Sequence, residues 1–102
     1  MTDNITSFLG LMRRANALCI GEKASVDMVR SGKAELLMIA SNSGANAVKR
    51  AENSSAFYKV RLITLPYTKE EISDALGKPG CSMLATDNKG FADSLLKKLN
   101  IE

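Results

Sequence analysis

The chain contains no histidine, and its two cysteines, Cys19 and Cys81, stand far apart. Without histidine the commonest general acid and base is missing, and neither thiol has an imidazole to activate it. Two cysteines make neither a disulfide framework nor a zinc motif. Each borders an apolar segment, where a thiol packs as a small hydrophobe. No Gly-rich phosphate loop of the P-loop or dinucleotide type is present. Glu70 and Glu71 fall at a helix start, where capping and the helix dipole account for them. No apolar run approaches the ~20 residues of a membrane span. Met1-Thr2-Asp3-Asn4 lacks the basic flank and apolar core of a signal peptide. The expectation is a non-enzymatic, cytoplasmic protein with no cofactor, no metal and no membrane partner.

What is present is an ordinary globular composition of 102 residues, 45% hydrophobic and 25% charged. That is one domain, 1–102, large enough to bury roughly 60–70% of its unfolded surface and form a core unaided. Fourteen Lys and Arg against eleven Asp and Glu give a net charge of +3. This balance is compatible with a nucleic-acid partner without requiring one.

The apolar run Leu36, Leu37, Met38, Ile39, Ala40 stops abruptly at Ser41-Asn42-Ser43-Gly44-Ala45-Asn46. A short run bounded by turn residues reads as a strand buried on both faces. Asn46 is then the candidate cap of a helix through Ala47, Val48 and Ala51. Upstream, Ile5, Phe8, Leu9, Met12 and Ala15 form a helical stripe behind Asp3 as a cap, with Arg13 and Arg14 suiting the dipole at its end. Leu18-Cys19-Ile20 reads as a short extended piece, followed by a helix over 22–31. Downstream, a strand is expected over 60–65, ended by Pro66. Thr68 and Glu71 have capping-box spacing for a short helix with Ile72, Ala75 and Leu76 on one face. After the loop at 77–80, the last strand is expected over 81–85, and Phe91, Leu95 and Leu99 form the inward stripe of a final helix. Helices alternating with three or four short strands predict an α/β fold, with helices covering both faces of a mostly parallel or mixed sheet.

Two loops have features suited to binding. At Ile20-Gly21-Glu22-Lys23-Ala24 a glycine precedes a helix, so backbone can approach closely and free N–H groups attract phosphate or base acceptors. Gly77-Lys78-Pro79-Gly80-Cys81 is a small loop with one cation and little bulk. The plain alternative for both is turn chemistry, with glycines supplying positive φ and lysines solubility.

At these loops the chain resembles the YlxQ/YbxF group of bacterial ribosomal-protein-like RNA-binding proteins, whose wider superfamily includes archaeal and eukaryotic ribosomal proteins that bind RNA kink-turns. The resemblance covers 9–99. It is carried by Gly21-Glu22, by Val29-Arg30-Ser31-Gly32-Lys33-Ala34 leading into the apolar strand, and by Asn46. Thr68-Lys69-Glu70-Glu71-Ile72, Ala75-Leu76-Gly77-Lys78, and Thr86-Asp87 before Gly90-Phe91-Ala92 complete it. It implies a three-layer α/β/α sandwich around a four-stranded mixed sheet, and RNA binding rather than catalysis. In kink-turn binders the start of the second helix enters the major groove beside sheared G·A pairs, and the loop before the last strand covers bases thrown out at the bend. The implied helix contacts are Gly21, Glu22, Lys23, Ala24 and Asp27. The implied loop contacts are Lys78, Pro79, Gly80 and Cys81, next to Gly77, with Gly44 contributing from the loop after the first long strand.

The chain also departs from that pattern. Lys23-Ala24 stands where kink-turn binders commonly place Asn-Glu or Lys-Gln, and Ala24 has no hydrogen-bonding group. Asp27 replaces a lysine and would repel phosphate, although at i, i+4 it can pair with Lys23 for ~0.3–0.5 kcal/mol. Gly44 stands where an acidic residue often sits, and Ser73 replaces a usual glycine. Two functions therefore follow. One is recognition of kink-turn-like ribosomal or regulatory RNA. The other is a ribosome-associated or scaffold role through translation-associated proteins. A small-ligand or nucleotide-binding α/β domain is a third class.

Overall fold

Two strands carry the centre of the molecule. In the computed structural model, which describes residues 4–101, every residue of β2 (Leu36–Ile39) and β4 (Met83–Thr86) is buried. Strands covered on both faces read as continuous apolar runs rather than alternating ones, which is why the sequence marks them so plainly. They pair antiparallel, with Leu37 opposite Ala85 and Ile39 opposite Met83. β1 (Cys19–Ile20) adds antiparallel to the outer side of β4, and β3 (Leu62–Thr64) adds parallel to β2. The sheet order is β1-β4-β2-β3, a four-stranded mixed sheet. The parallel β2–β3 pair needs a crossover, which α3 (Ala45–Tyr58) supplies.

The two-residue period of β2 divides the core. Leu36, Met38 and Ala40 join a cluster with Leu9 and Met12 of α1 (Asn4–Arg14), Ile72 of α4 (Lys69–Leu76) and Leu95 of α5 (Lys89–Lys98). Leu37 and Ile39 join Val29 of α2 (Glu22–Arg30) and Ala51 of α3 on the opposite face. The result is the expected α/β/α sandwich, with α1, α4 and α5 on one side and α2 and α3 on the other. No described helix is long and apolar enough to cross a membrane.

The capping box forms as its spacing predicts. Glu71 N–H donates to the Thr68 hydroxyl at 3.1 Å, and Thr68 N–H donates to the Glu71 carboxylate at 2.8 Å. Four local expectations change. Asn46 does not cap α3; the helix opens at Ala45 with Gly44 as cap, because Ser41 and Ser43 are tied to neighbouring loops and turn the chain inward early. β3 is shorter than 60–65 because Val60 N–H is taken by the Ser55 carbonyl at the end of α3. β4 begins at Met83 rather than at Cys81, since Cys81 and Ser82 complete the turn after Gly80. Ala15 and Ala75 lie exposed: α1 has ended before Ala15, and Ala75 falls on the outer face of α4. The cap assigned to Asp3 lies outside the described residues.

One buried polar side chain fastens the sheet to the turn before β1. The Thr86 hydroxyl donates to the Ala17 carbonyl at 2.5 Å and accepts from Asn88 N–H at 3.2 Å, with Thr86 fully buried. Removing a hydroxyl that satisfies buried backbone groups costs about 1–3 kcal/mol. Thr86→Val is therefore expected to lower unfolding stability by that amount in urea melts, whereas a change under ~0.5 kcal/mol would show the bond to be dispensable.

Candidate nucleic-acid interface

Strand pairing sets the site. Because β1 runs antiparallel to β4, the end of β1 that launches α2 lies at the start of β4, which the loop at 77–81 feeds. Gly21 N–H extends the ladder, donating to the Met83 carbonyl at 2.9 Å. Gly21 caps α2 with φ 109° and ψ 155°, a conformation that side chains rarely adopt. A Cβ built there would stand 4.0 Å from the Gly80 carbonyl oxygen, an ordinary contact, so the backbone angle rather than space calls for glycine. Segments 21–24 and 77–81 thus meet side by side.

The loop at 41–44 joins them. Ala40 N–H and the Ser43 hydroxyl both donate to the Ser82 carbonyl, at 3.0 and 2.7 Å. Asn42 ties this loop to the start of α4: its amide nitrogen donates to Glu70 at 2.9 Å, and its oxygen accepts from Lys69 N–H at 2.8 Å. The bond to Glu70 is the main reason that carboxyl titrates below its ordinary range, with its own backbone N–H and Lys69 assisting. Gly44 is exposed at the head of α3.

The individual side chains differ in what they can offer. Lys78, Pro79, Gly77 and Gly80 are exposed, but Cys81 is 1% exposed and its thiol donates inward to the Lys78 carbonyl at 3.2 Å. Cys81 therefore shapes the loop and presents no side chain to a ligand. Lys23 is ion-paired with Asp27 at 2.9 Å, as the i, i+4 spacing allows, yet its side chain is 91% exposed. Glu22 is half-buried and held by Arg50 of α3. Ala24 is exposed without a polar atom.

By sequence, Arg13 and Arg14 suit the dipole at the end of α1. The structure gives them a second position, in one shallow depression with Asn16, Ile20 and Lys78. Arg13 is anchored there by donating to the Leu76 carbonyl at 2.6 Å. Lys78 and Arg14 form no ion pair among the described residues. These residues are more than sixty positions apart, and the packing of α1 against α4 brings them together. Arg30, the last residue of α2, and Lys33 beyond it lie away from the head of that helix. On its other side the 77–82 loop, with Lys69, Glu70, Ser73 and Asp74 of α4, lines a second depression of mixed charge. Among the described residues no group of His, Cys, Asp and Glu could hold a metal ion.

No family model matches the chain. The RNA-binding protein YlxQ of Enterococcus faecium is 31% identical to it over 86 residues, which are 84% of this chain and 82% of that protein. The chain belongs to the YlxQ family. A solved structure of a protein with unknown function from Bacillus halodurans C superposes with a TM-score of 0.87, covering 97% of this chain and 99% of that one at 23% identity. That likeness shows the fold. The YlxQ relationship bears out the family resemblance read from Gly21-Glu22 and the motifs that follow it.

Two outcomes test this geometry. Gly21→Ala is expected to cost about 1–3 kcal/mol from backbone strain alone, measured by urea unfolding; an unchanged midpoint would mean the positive φ is not required. Asn42→Ala should move the titration of the Glu70 carboxyl upward, toward its ordinary range, in an NMR titration. The sign follows from a folded-state value that is depressed: the Asn42–Glu70 bond favours the folded state above the ordinary carboxylate range and is lost as pH falls through the lowered value.

Proposed function

We propose that this chain is a non-enzymatic, cytoplasmic RNA-binding protein that recognises structured, kink-turn-like RNA, in ribosomal or regulatory RNA, through the start of α2 and the loop before β4. The observation that carries this reading is the approach of Gly21 to Gly80, which makes one low, backbone-rich surface from two distant segments. Free N–H groups at the head of α2 suit phosphate or base acceptors, and the flat 77–80 loop suits unstacked bases. Lys78, Arg14 and Arg13 border that surface with positive charge. The name of the Enterococcus faecium relative, an RNA-binding protein, supports the same partner.

Within this reading, Lys78 and Arg14 meet phosphates, and Lys23 reaches the RNA by leaving Asp27. An exposed i, i+4 pair is worth only ~0.3–0.5 kcal/mol, so a phosphate can compete for the lysine. Ala24 contributes shape and no base-reading bond. Asp27 works against binding: a like charge ~4 Å from a phosphate oxygen costs about 1 kcal/mol even in water. Labelled kink-turn RNA should accordingly bind with salt-dependent affinity. Lys78→Ala and Arg14→Ala should each weaken binding by up to about tenfold and lower the salt slope by about one. Asp27→Ala should tighten it about fivefold, the fold-change that a repulsion of this size converts to. Equal, weak binding to kinked and straight duplexes would reject structure-specific recognition.

A second reading draws on the ion pairs of Lys23 with Asp27 and of Glu22 with Arg50, which occupy charges at the head of α2. In it the chain keeps the fold and acts through ribosomal or translation-associated proteins. Partners recovered unchanged after nuclease treatment would favour that role, and loss of all partners would exclude it.

A further inference from the structure

We propose that the outer face of α3 is a second binding strip, for single-stranded RNA flanking the folded element, and that Phe57 stacks one of its bases. The inference rests on the RNA-binding reading above and extends its surface. Phe57 is 78% exposed, far more than is usual for so large an apolar side chain. It is not loose: its ring stands edge-to-face on Tyr58, with centroids 4.8 Å apart at 74°.

Asn46, Arg50, Asn53 and Phe57 fall at i, i+4, i+7 and i+11, a single stripe along the helix, and all four are exposed. Two shallow depressions follow it, one at Lys49 and Arg50 and one at Phe57 and Tyr58, sharing Asn53 and Ser54. The acidic residue of this helix, Glu52, lies about 160° around the axis from Arg50. Lys49 forms no ion pair among the described residues. The strip therefore offers the Lys49 ammonium for a phosphate, beside an Arg50 guanidinium held by Glu22, amides for base edges and an aromatic face for stacking, the combination that single strands use. A protein-docking patch would surround its aromatic anchor with apolar neighbours on all sides; here Ala56 and Tyr58 lie beside the ring, and Asn53 and Ser54 lead from it to Lys49 and Arg50.

Continuity fixes where the strand comes from. Arg50 pairs with Glu22, the first residue of α2, so the strip starts at the surface already described. Seven residues of helix separate Arg50 from Phe57, about 10 Å, the length of about three stacked nucleotides at ~3.4 Å each.

The test uses the full chain and two RNAs, a kink-turn core alone and the same core with a five-nucleotide single-stranded overhang at its 5′ or 3′ end. The chain contains no tryptophan, so Phe57→Trp installs a single fluorescent reporter at the proposed stacking position. One overhang is expected to tighten binding about five- to tenfold, as stacking of one base predicts, and to quench that fluorescence. Phe57→Ala should abolish the gain while leaving affinity for the core unchanged. Core binding with no gain and no quenching from either overhang overturns the strip and leaves the first surface standing. If the core fails to bind while a free oligoribonucleotide quenches the reporter of the Phe57→Trp variant, the first surface is overturned and the strip stands. Concentration-dependent dimerisation that Phe57→Ala removes, without any overhang effect, overturns the strip and assigns Phe57 to a second copy of the chain.

Discussion

The pairing of β1 with β4 governs everything at the candidate site. It joins only two residues of β1 to the sheet, Cys19 and Ile20, and continues through the Gly21–Met83 hydrogen bond. Without it, the head of α2 would have no reason to lie beside a loop some sixty residues away. A ladder this short is weak by itself, and the structure reinforces it from behind. Thr86 grips the Ala17 carbonyl at the entry to β1, and Asn16 adopts the left-handed conformation that closes α1 and turns the chain toward the sheet. The β2–β4 register then brings the 41–44 loop to the same end.

The surface so assembled is built largely from backbone and small side chains, with charge held at its margins. Lys78, Arg13 and Arg14 cluster on one side, while Lys23 and Glu22 are engaged by Asp27 and Arg50. A net charge of +3 is too small to attract nucleic acid strongly by field alone. In the proposed function such a surface selects RNA by fit to its contour, with a few local cations for phosphates. The Glu22–Arg50 pair has a further consequence, since it connects the head of α2 to the outer face of α3.

Legibility varied with how local each signal was. The strand at 36–40, the capping box at Thr68 and the Lys23–Asp27 pair were readable because each depends on near neighbours in the chain. The misplaced start of α3 shows the limit: Asn46 is a good capping residue, but tertiary bonds from Ser41 and Ser43 made the chain enter the helix before reaching it. Cys81 shows another. Its loop stands out in the sequence as a small turn with one cation and little bulk, yet nothing in the sequence says that its thiol points inward. Arg13 and Arg14 were explained by a local effect, the dipole, while their proximity to Lys78 depends on contacts across the whole chain.

Composition and local pattern were sufficient to specify layered α/β architecture and the order of its elements, because burial on one or both faces leaves a periodic trace in neighbouring residues; the family came from the resemblance of its motifs, not from that trace. Which loops meet, which charges stay unpaired and which side chains face outward depended on strand register, a property of residues far apart in sequence. Sheet hydrogen bonds join backbone groups that look alike at every position, so their partners are chosen by the packing of the whole core.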